Sequence, residues 1–144
     1  MDSSFFCRWF SGFAKGLDEM DAGSRSALLR QCAVCCADTG VLQSYKKLYL
    51  TVNGDRDAFY ERLSELGNVS GEVVVPQKEY RVRFPECGCD LHNDCGVDTP
   101  ALCECSRQSI LYVAENVWND SARVIPEETV LSGGRECRFR LVFD

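Results

Sequence analysis

Two short thiol pairs, Cys87-Gly88-Cys89 and Cys103-Glu104-Cys105, sit in the second half of a chain that carries ten cysteines in 144 residues. Thiolates are soft donors, so pairs at this spacing suit zinc, an iron–sulfur cluster or a redox couple, and not magnesium or calcium. Cys137 adds a donor just past the turn Ser132-Gly133-Gly134. Cys32 and Cys36 are four apart on a predicted helix, where one face presents both, and Cys35 is a three-apart substitute for Cys36. The candidate metal ligands are thus Cys87, Cys89, Cys103, Cys105, Cys137, Cys32 and Cys36. Of these, Cys87, Cys89, Cys103 and Cys137 are the expected set, with the others in reserve. Zinc is the expected cofactor and an iron–sulfur cluster the alternative. Cys7 and Cys95 belong to no pair and read as buried cysteines that pack as small hydrophobes.

Other chemistry is sparse. His92 is the single histidine and reads as a solvated loop residue, with a spare role as a ligand beside Cys89. Glu127 and Glu128 are adjacent, so in a strand they point to opposite faces. Serine-triad, Walker and zinc-protease motifs are absent. No catalytic residue is assigned. An enzyme would have to be a thiol-based redox enzyme using Cys103 or Cys105 near a helix N-terminus, where the dipole favours thiolate.

The elements that must position these thiols divide the chain into a mainly helical part, 1–68, and a cysteine-rich sheet-plus-helix part, 69–144, within one domain. Phe6, Trp9, Phe10, Phe13, Leu17 and Met20 recur at three- and four-residue steps and predict an amphipathic first helix. Its aromatic stripe is either core or the cover of a dimer partner. A second helix is expected from Ser24 to the stop at Asp38-Thr39-Gly40, a short third over 41–48, and a fourth capped by Asp55 and ended by Gly67. Strands follow at 72–75 and 80–84. Thr99-Pro100 opens a long helix to about Trp118, and strands 123–131 and 136–143 form a hairpin whose Pro126 demands an edge position or a bulge. The predicted fold is α+β: N-terminal helices, then β-β-α-β-β, with helices packed on one face of an antiparallel sheet.

On the long helix Cys103 shares a face with Ile110, Ala114 and Val117, whereas Cys105 lies about 200° around the axis. Cys137 has the inward parity of Phe139, Leu141 and Phe143. Arg81 and Arg83 on one strand, and Arg138 and Arg140 on another, have outward parity, so four arginines are expected on one outer face. That face is either solvated or a dock for a carboxylate-rich partner.

Composition excludes several classes. A net charge of −6 argues against a nucleic-acid footprint. No apolar run approaches the roughly 20 residues of a spanning helix. The N-terminus lacks a basic leader and a small-residue cleavage site, which points to a cytoplasmic protein with reduced thiols.

The run from Cys103 to Phe139, with Gly133, Gly134, Cys137 and Arg138, resembles the end of the 4-vinyl-reductase-type domain, a bacterial small-molecule-binding module. Over residues 25–143 the chain is still more similar to an uncharacterised family of small cysteine-rich bacterial proteins. It matches their helical Cys-x-x-x-Cys at Cys32 and Cys36, their Cys-x-Cys at Cys87 and Cys89, and their Cys-x-Cys-Ser at Cys103, Cys105 and Ser106. Where that family has glycine after the last motif, this chain has Arg107 and Gln108. The resemblance implies an α+β fold of the type shared with nitric-oxide-sensing and Golgi-transport domains, a homodimer, and a pocket between helices and sheet. In related phenol-sensing domains a zinc is held by a helix-start cysteine, a glutamate and two hairpin cysteines. Cys103 and Cys137 match the first and last of these, Thr129 stands at the middle cysteine and Pro126 displaces the glutamate, which leaves Cys87 and Cys89 as replacements. The implied function is a metal-binding domain that senses or carries a small, partly apolar molecule in a pocket lined by Ile110, Ala114, Val117, Phe139 and Leu141. A redox enzyme and a protein-interaction module are the alternatives.

Overall fold

The computed structural model describes residues 3–86 and 89–144, so Cys87 lies outside the described residues. The front half is helical: α1 (Ser3–Glu19), α2 (Ala22–Cys36), α3 (Leu42–Thr51) and α4 (Arg56–Glu61). Local chemistry sets these boundaries. Asp21 accepts the Ser24 N–H and caps α2, and Asp55 accepts the Ala58 N–H and caps α4. Between α2 and α3 a π-helical turn over Ala37–Val41 kinks at Gly40, whose φ of 133° explains why the expected stop falls at a glycine.

The back half holds β1 (Ser70–Val75), β2 (Glu79–Phe84), α5 (Asp90–Cys95), α6 (Cys103–Trp118), β3 (Ala122–Glu128) and β4 (Cys137–Phe143). The strands form one antiparallel sheet in the order β1-β2-β4-β3, with helices on one side. The fold is α+β, as the sequence predicts. Pro126 is tolerated because β3 is an edge strand, and the register shifts between Pro126 and Glu128. That bulge ends the strand at Glu128, earlier than expected, and a 3₁₀ turn at Val130–Ser132 precedes the hairpin glycines. Gly71 lets β1 lie against α4, since a Cβ there would stand 2.5 Å from the Tyr60 carbonyl oxygen.

Two apolar clusters hold these layers together. The larger joins the sheet to α3, α4 and the C-terminal half of α6 through Phe59, Tyr60, Leu63, Tyr80, Val117, Phe139, Leu141 and Phe143. Tyr60 stacks on Tyr80 with centroids 4.3 Å apart, and Phe59 meets Trp118 edge-on. The smaller consists of Ala14, Leu17, Leu29, Val97 and Leu102. The aromatic stripe of α1 is split between these environments: Leu17 is buried and Phe13 packs on the smaller cluster, but Phe5, Phe6 and Trp9 are exposed.

Cys7 and Cys95 are not separate buried thiols. They form a disulfide, with Cα atoms 5.0 Å apart, because the short α5, absent from the sequence reading, brings Cys95 against α1. The outer sheet face carries Arg81, Arg83, Arg138 and Arg140 on paired strands, as parity requires. Their guanidiniums bind the molecule's own Glu72, Glu79, Glu127, Glu128 and Glu136. The carboxylates sought in a partner are therefore supplied internally. Among the described residues no helix is long and apolar enough to cross a membrane.

Candidate functional site

The start of α6 is fixed by its neighbours. Thr99 accepts the Ala101 N–H at 3.2 Å, donates to the Asp18 carboxylate near the end of α1, and precedes Pro100 in a 3₁₀ turn that runs into α6. In the first turn, Glu104 accepts from Ser26 at 2.8 Å, from Gln108 at 2.9 Å and from both Nε and Nη2 of Arg107. Burial pushes the Glu104 carboxyl up, but the bonds from Arg107, Gln108 and Ser26 outweigh it and hold the group below its ordinary value. Arg107 and Gln108, which depart from the resembled family, thus bind Glu104 within α6, and the Ser26 bond to the same carboxylate ties α2 to α6.

Cys103 and Cys105 diverge around the helix as their spacing predicts. Cys103 lines a cavity of about 290 Å³ whose wall mixes Arg25, Glu104, Arg107 and Thr129 with Ala101 and Pro126. Cys137 is buried and accepts the Val130 N–H at 3.4 Å. The zinc set implied by the phenol-sensing domains does not fit here. Its middle donor is the Thr129 hydroxyl, its carboxylate place is a proline ring, and only two thiols remain. Among the described residues the buried Thr129 Oγ1 has no hydrogen-bond partner.

Cys105 looks instead toward the smaller apolar cluster, where it packs together with Cys89, Cys95 and Leu28. Burial pushes its thiol up to about 12, and the charges of Cys36, Cys32, Cys89 and Glu104 act in the same direction. That is opposite to the shift of an activated nucleophile. The Cys32 thiol is also raised, first by burial and then by Cys36 and Cys35. Cys89 and Cys105 thus share the rim of the smaller cluster, Cys103 lines the cavity at the start of α6, Cys137 is buried in the larger cluster, and Cys32 and Cys36 are exposed on α2. Among the described residues no three His, Cys, Asp or Glu side chains are already arranged to hold one metal ion. His92 is half-buried, and its Nδ1–H donates to the Val97 carbonyl at 3.0 Å, which fixes the orientation of the ring.

A third feature lies between α3, α4, β2 and α6: an apolar cavity of about 110 Å³ lined by Val41, Tyr45, Phe59, Tyr60, Leu63, Val82, Phe84, Ser109, Ile110 and Val113. Of the expected lining only Ile110 is there. Ala114, Val117, Phe139 and Leu141 are packed into the larger cluster, because the sheet closes directly on that row of α6. Burial pushes the Tyr45 phenol up to about 12. Tyr45 and Phe59 were missed as lining residues; the inward parity of Val82 and Phe84 was the one signal that pointed to this space.

No family model and no curated protein matches the chain. Among solved structures it is similar to trafficking protein particle complex subunit 3 from Naegleria fowleri, at 12% identity and a TM-score of 0.51, over 98% of this chain and 96% of that one. That structure is described as covalently bound to palmitic acid. An H-NOX domain from Shewanella oneidensis, in its Fe(II)CO state, aligns at 13% identity over 83% of this chain and 63% of that one. Its TM-score of 0.44 is too low to carry an argument. At such identities the first likeness establishes the α+β fold alone.

Proposed function

We propose that this chain is a small-molecule-binding domain of the sensing or carrier kind. The observation that supports it is the cavity of about 110 Å³ under α6, in which Tyr45 and Ser109 are polar groups on an otherwise apolar wall. Pockets for drug-sized ligands run to about 300–1,000 Å³, whereas a cavity of about 150 Å³ holds benzene. The ligand class is accordingly a single ring or short alkyl group carrying one hydroxyl or carbonyl for Tyr45. The palmitic acid of the trafficking subunit shows that this architecture can take an apolar ligand, and the space here favours a much smaller one.

Titration with benzyl alcohol and cyclohexanol, followed by NMR, tests the reading. Shifts should centre on Tyr45, Phe59 and Val113, and Ile110→Trp, which fills the space, should remove them while the sheet spectrum persists. A probe that perturbs nothing near the cavity, or that binds Ile110→Trp as well as the parent, would overturn it.

A further inference from the structure

We propose that the exposed face of α1 is a docking surface for an anionic lipid membrane, on which the protein rests without spanning it. The surface is separate from the apolar cavity, which α1 does not line. One side of α1 is committed to the fold: Ala14 and Leu17 are buried in the smaller cluster, and Cys7 is bonded to Cys95. At about 100° per residue, the row Phe5, Trp9, Gly12 and Gly16 stands well away from that side. A Cβ built at Gly12 or Gly16 would meet nothing within 4 Å, so among the described residues no other element covers the row there. Phe5 is 50% exposed, Trp9 56%, and Phe6 beside them 41%. The rings are already arranged as a surface: Trp9 stacks on Phe13 with centroids 5.6 Å apart and meets Phe10 edge-on.

Charge and area choose the occupant. From Ser3 to Leu17 the charged residues are Arg8 and Lys15, seven apart along one flank of the row. Arg8 donates to the Ser4 hydroxyl at 3.2 Å, a neutral acceptor that does not cancel its charge. A symmetric contact between two copies would lay this patch against itself, with cations on both sides and no carboxylate from the same stretch. Phe5, Phe6 and Trp9 together offer about 300 Å² of exposed ring surface. A stable protein interface needs about 800 Å² per partner. A lipid surface meets both conditions. The rings enter the headgroup boundary, where aromatic side chains are favoured, and the basic flank faces anionic headgroups. Because the chain as a whole carries −6, the attraction is confined to this flank and orients the molecule with α1 foremost.

The test uses full-length protein with Cys7–Cys95 intact, sedimented with vesicles of phosphatidylcholine alone or mixed with an equal part of phosphatidylglycerol. The parent should sediment with the mixed vesicles, far less with phosphatidylcholine, and should be released as salt is raised. Trp9→Ser alters an exposed position and should weaken binding at least about tenfold; Phe5→Ser gives a second reading at the other exposed ring. Arg8→Gln should weaken binding about fivefold. Leu50→Ser, at a 71% exposed apolar site on α3, should leave it unchanged. No sedimentation, equal sedimentation with both vesicles, parent-like binding by Trp9→Ser, Phe5→Ser or Arg8→Gln, or loss on Leu50→Ser would each overturn the proposal. So would a dimeric parent that Trp9→Ser turns into a monomer, since the face would then belong to a second copy.

Discussion

The two apolar clusters joined by α6 are built on opposite plans. The larger is made of rings and branched chains from both layers: Tyr80, Phe59, Phe139, Phe143, Leu63 and Leu141 have almost no exposed surface. The smaller is assembled from helices and the loop that carries Val97, with two alanine- or valine-sized core members for its three leucines, and cysteines around its rim. Interlocked rings leave few alternative packings, so the sheet side is a scaffold. Small side chains and thiols at a helix seam can shift without breaking a core, which is the property a binding region needs. One helix therefore carries rigidity at its C-terminal half and adaptable chemistry at its first turns.

That contrast has a measurable form. Phe139→Ala, at 0% exposure in the sheet core, should cost about 3–5 kcal/mol, because the stacked neighbours cannot close the cavity. Leu29→Ala in the smaller cluster should fall near the low end of its class, about 2 kcal/mol, as its neighbours collapse inward. Urea unfolding of both variants gives the comparison. Equal losses would show that the two clusters are equally rigid and would remove the distinction.

The disulfide separates the regions next. Cys7 and Cys95 are 88 residues apart, and closing so long a loop stabilises by about 4.6 kcal/mol in the chain-entropy account. The bond ties α1 to α5, both on the smaller cluster's side. Its removal by Cys7→Ser with Cys95→Ser should appear as faster amide exchange in α1 and α5, with β2 and β4 protected as before. Uniform loss of protection across the sheet would mean that the halves unfold as one unit.

The sequence was most legible where periodicity alone decides a structure. Strand parity placed Tyr80 and Val82 inward and four arginines outward, and Thr99-Pro100 marked the approach to α6. It also separated Cys103 from Cys105, which proved more informative than counting thiols. What it could not supply was the partner of each outward or isolated group. The glutamates that satisfy Arg81 and Arg138 come from β1, β3 and the hairpin, and nothing local to the arginines announces them. The helix α5 spans only six residues, too short for a periodic signal, so the bond between Cys7 and Cys95 was hidden with it. The cavity lining failed for a related reason: parity says that Phe139 and Leu141 face α6, but not whether the gap between them is filled.

The smallest effect tests how the adaptable side is held in place. Glu104 joins α2 to α6 by accepting from Ser26, and it is held in place within α6 by Arg107 and Gln108. Its folded pKa lies below the ordinary 4.5, so its contribution is present above that value and is lost as pH falls through the lowered folded value. Glu104→Gln keeps an acceptor for Ser26 but loses the charge opposite Arg107. It should cost about 1.5–3 kcal/mol at neutral pH, the range of hydrogen bonds to a charged group. In acid the parent carboxyl becomes protonated, so the gap between parent and variant should narrow as pH falls from the ordinary 4.5 through the lowered folded value. Stability curves for the two proteins that stay parallel from pH 7 down to 3 would show that Glu104 is merely accommodated at the seam. Converging curves would show that its charge stabilises the first turns of α6 through Arg107.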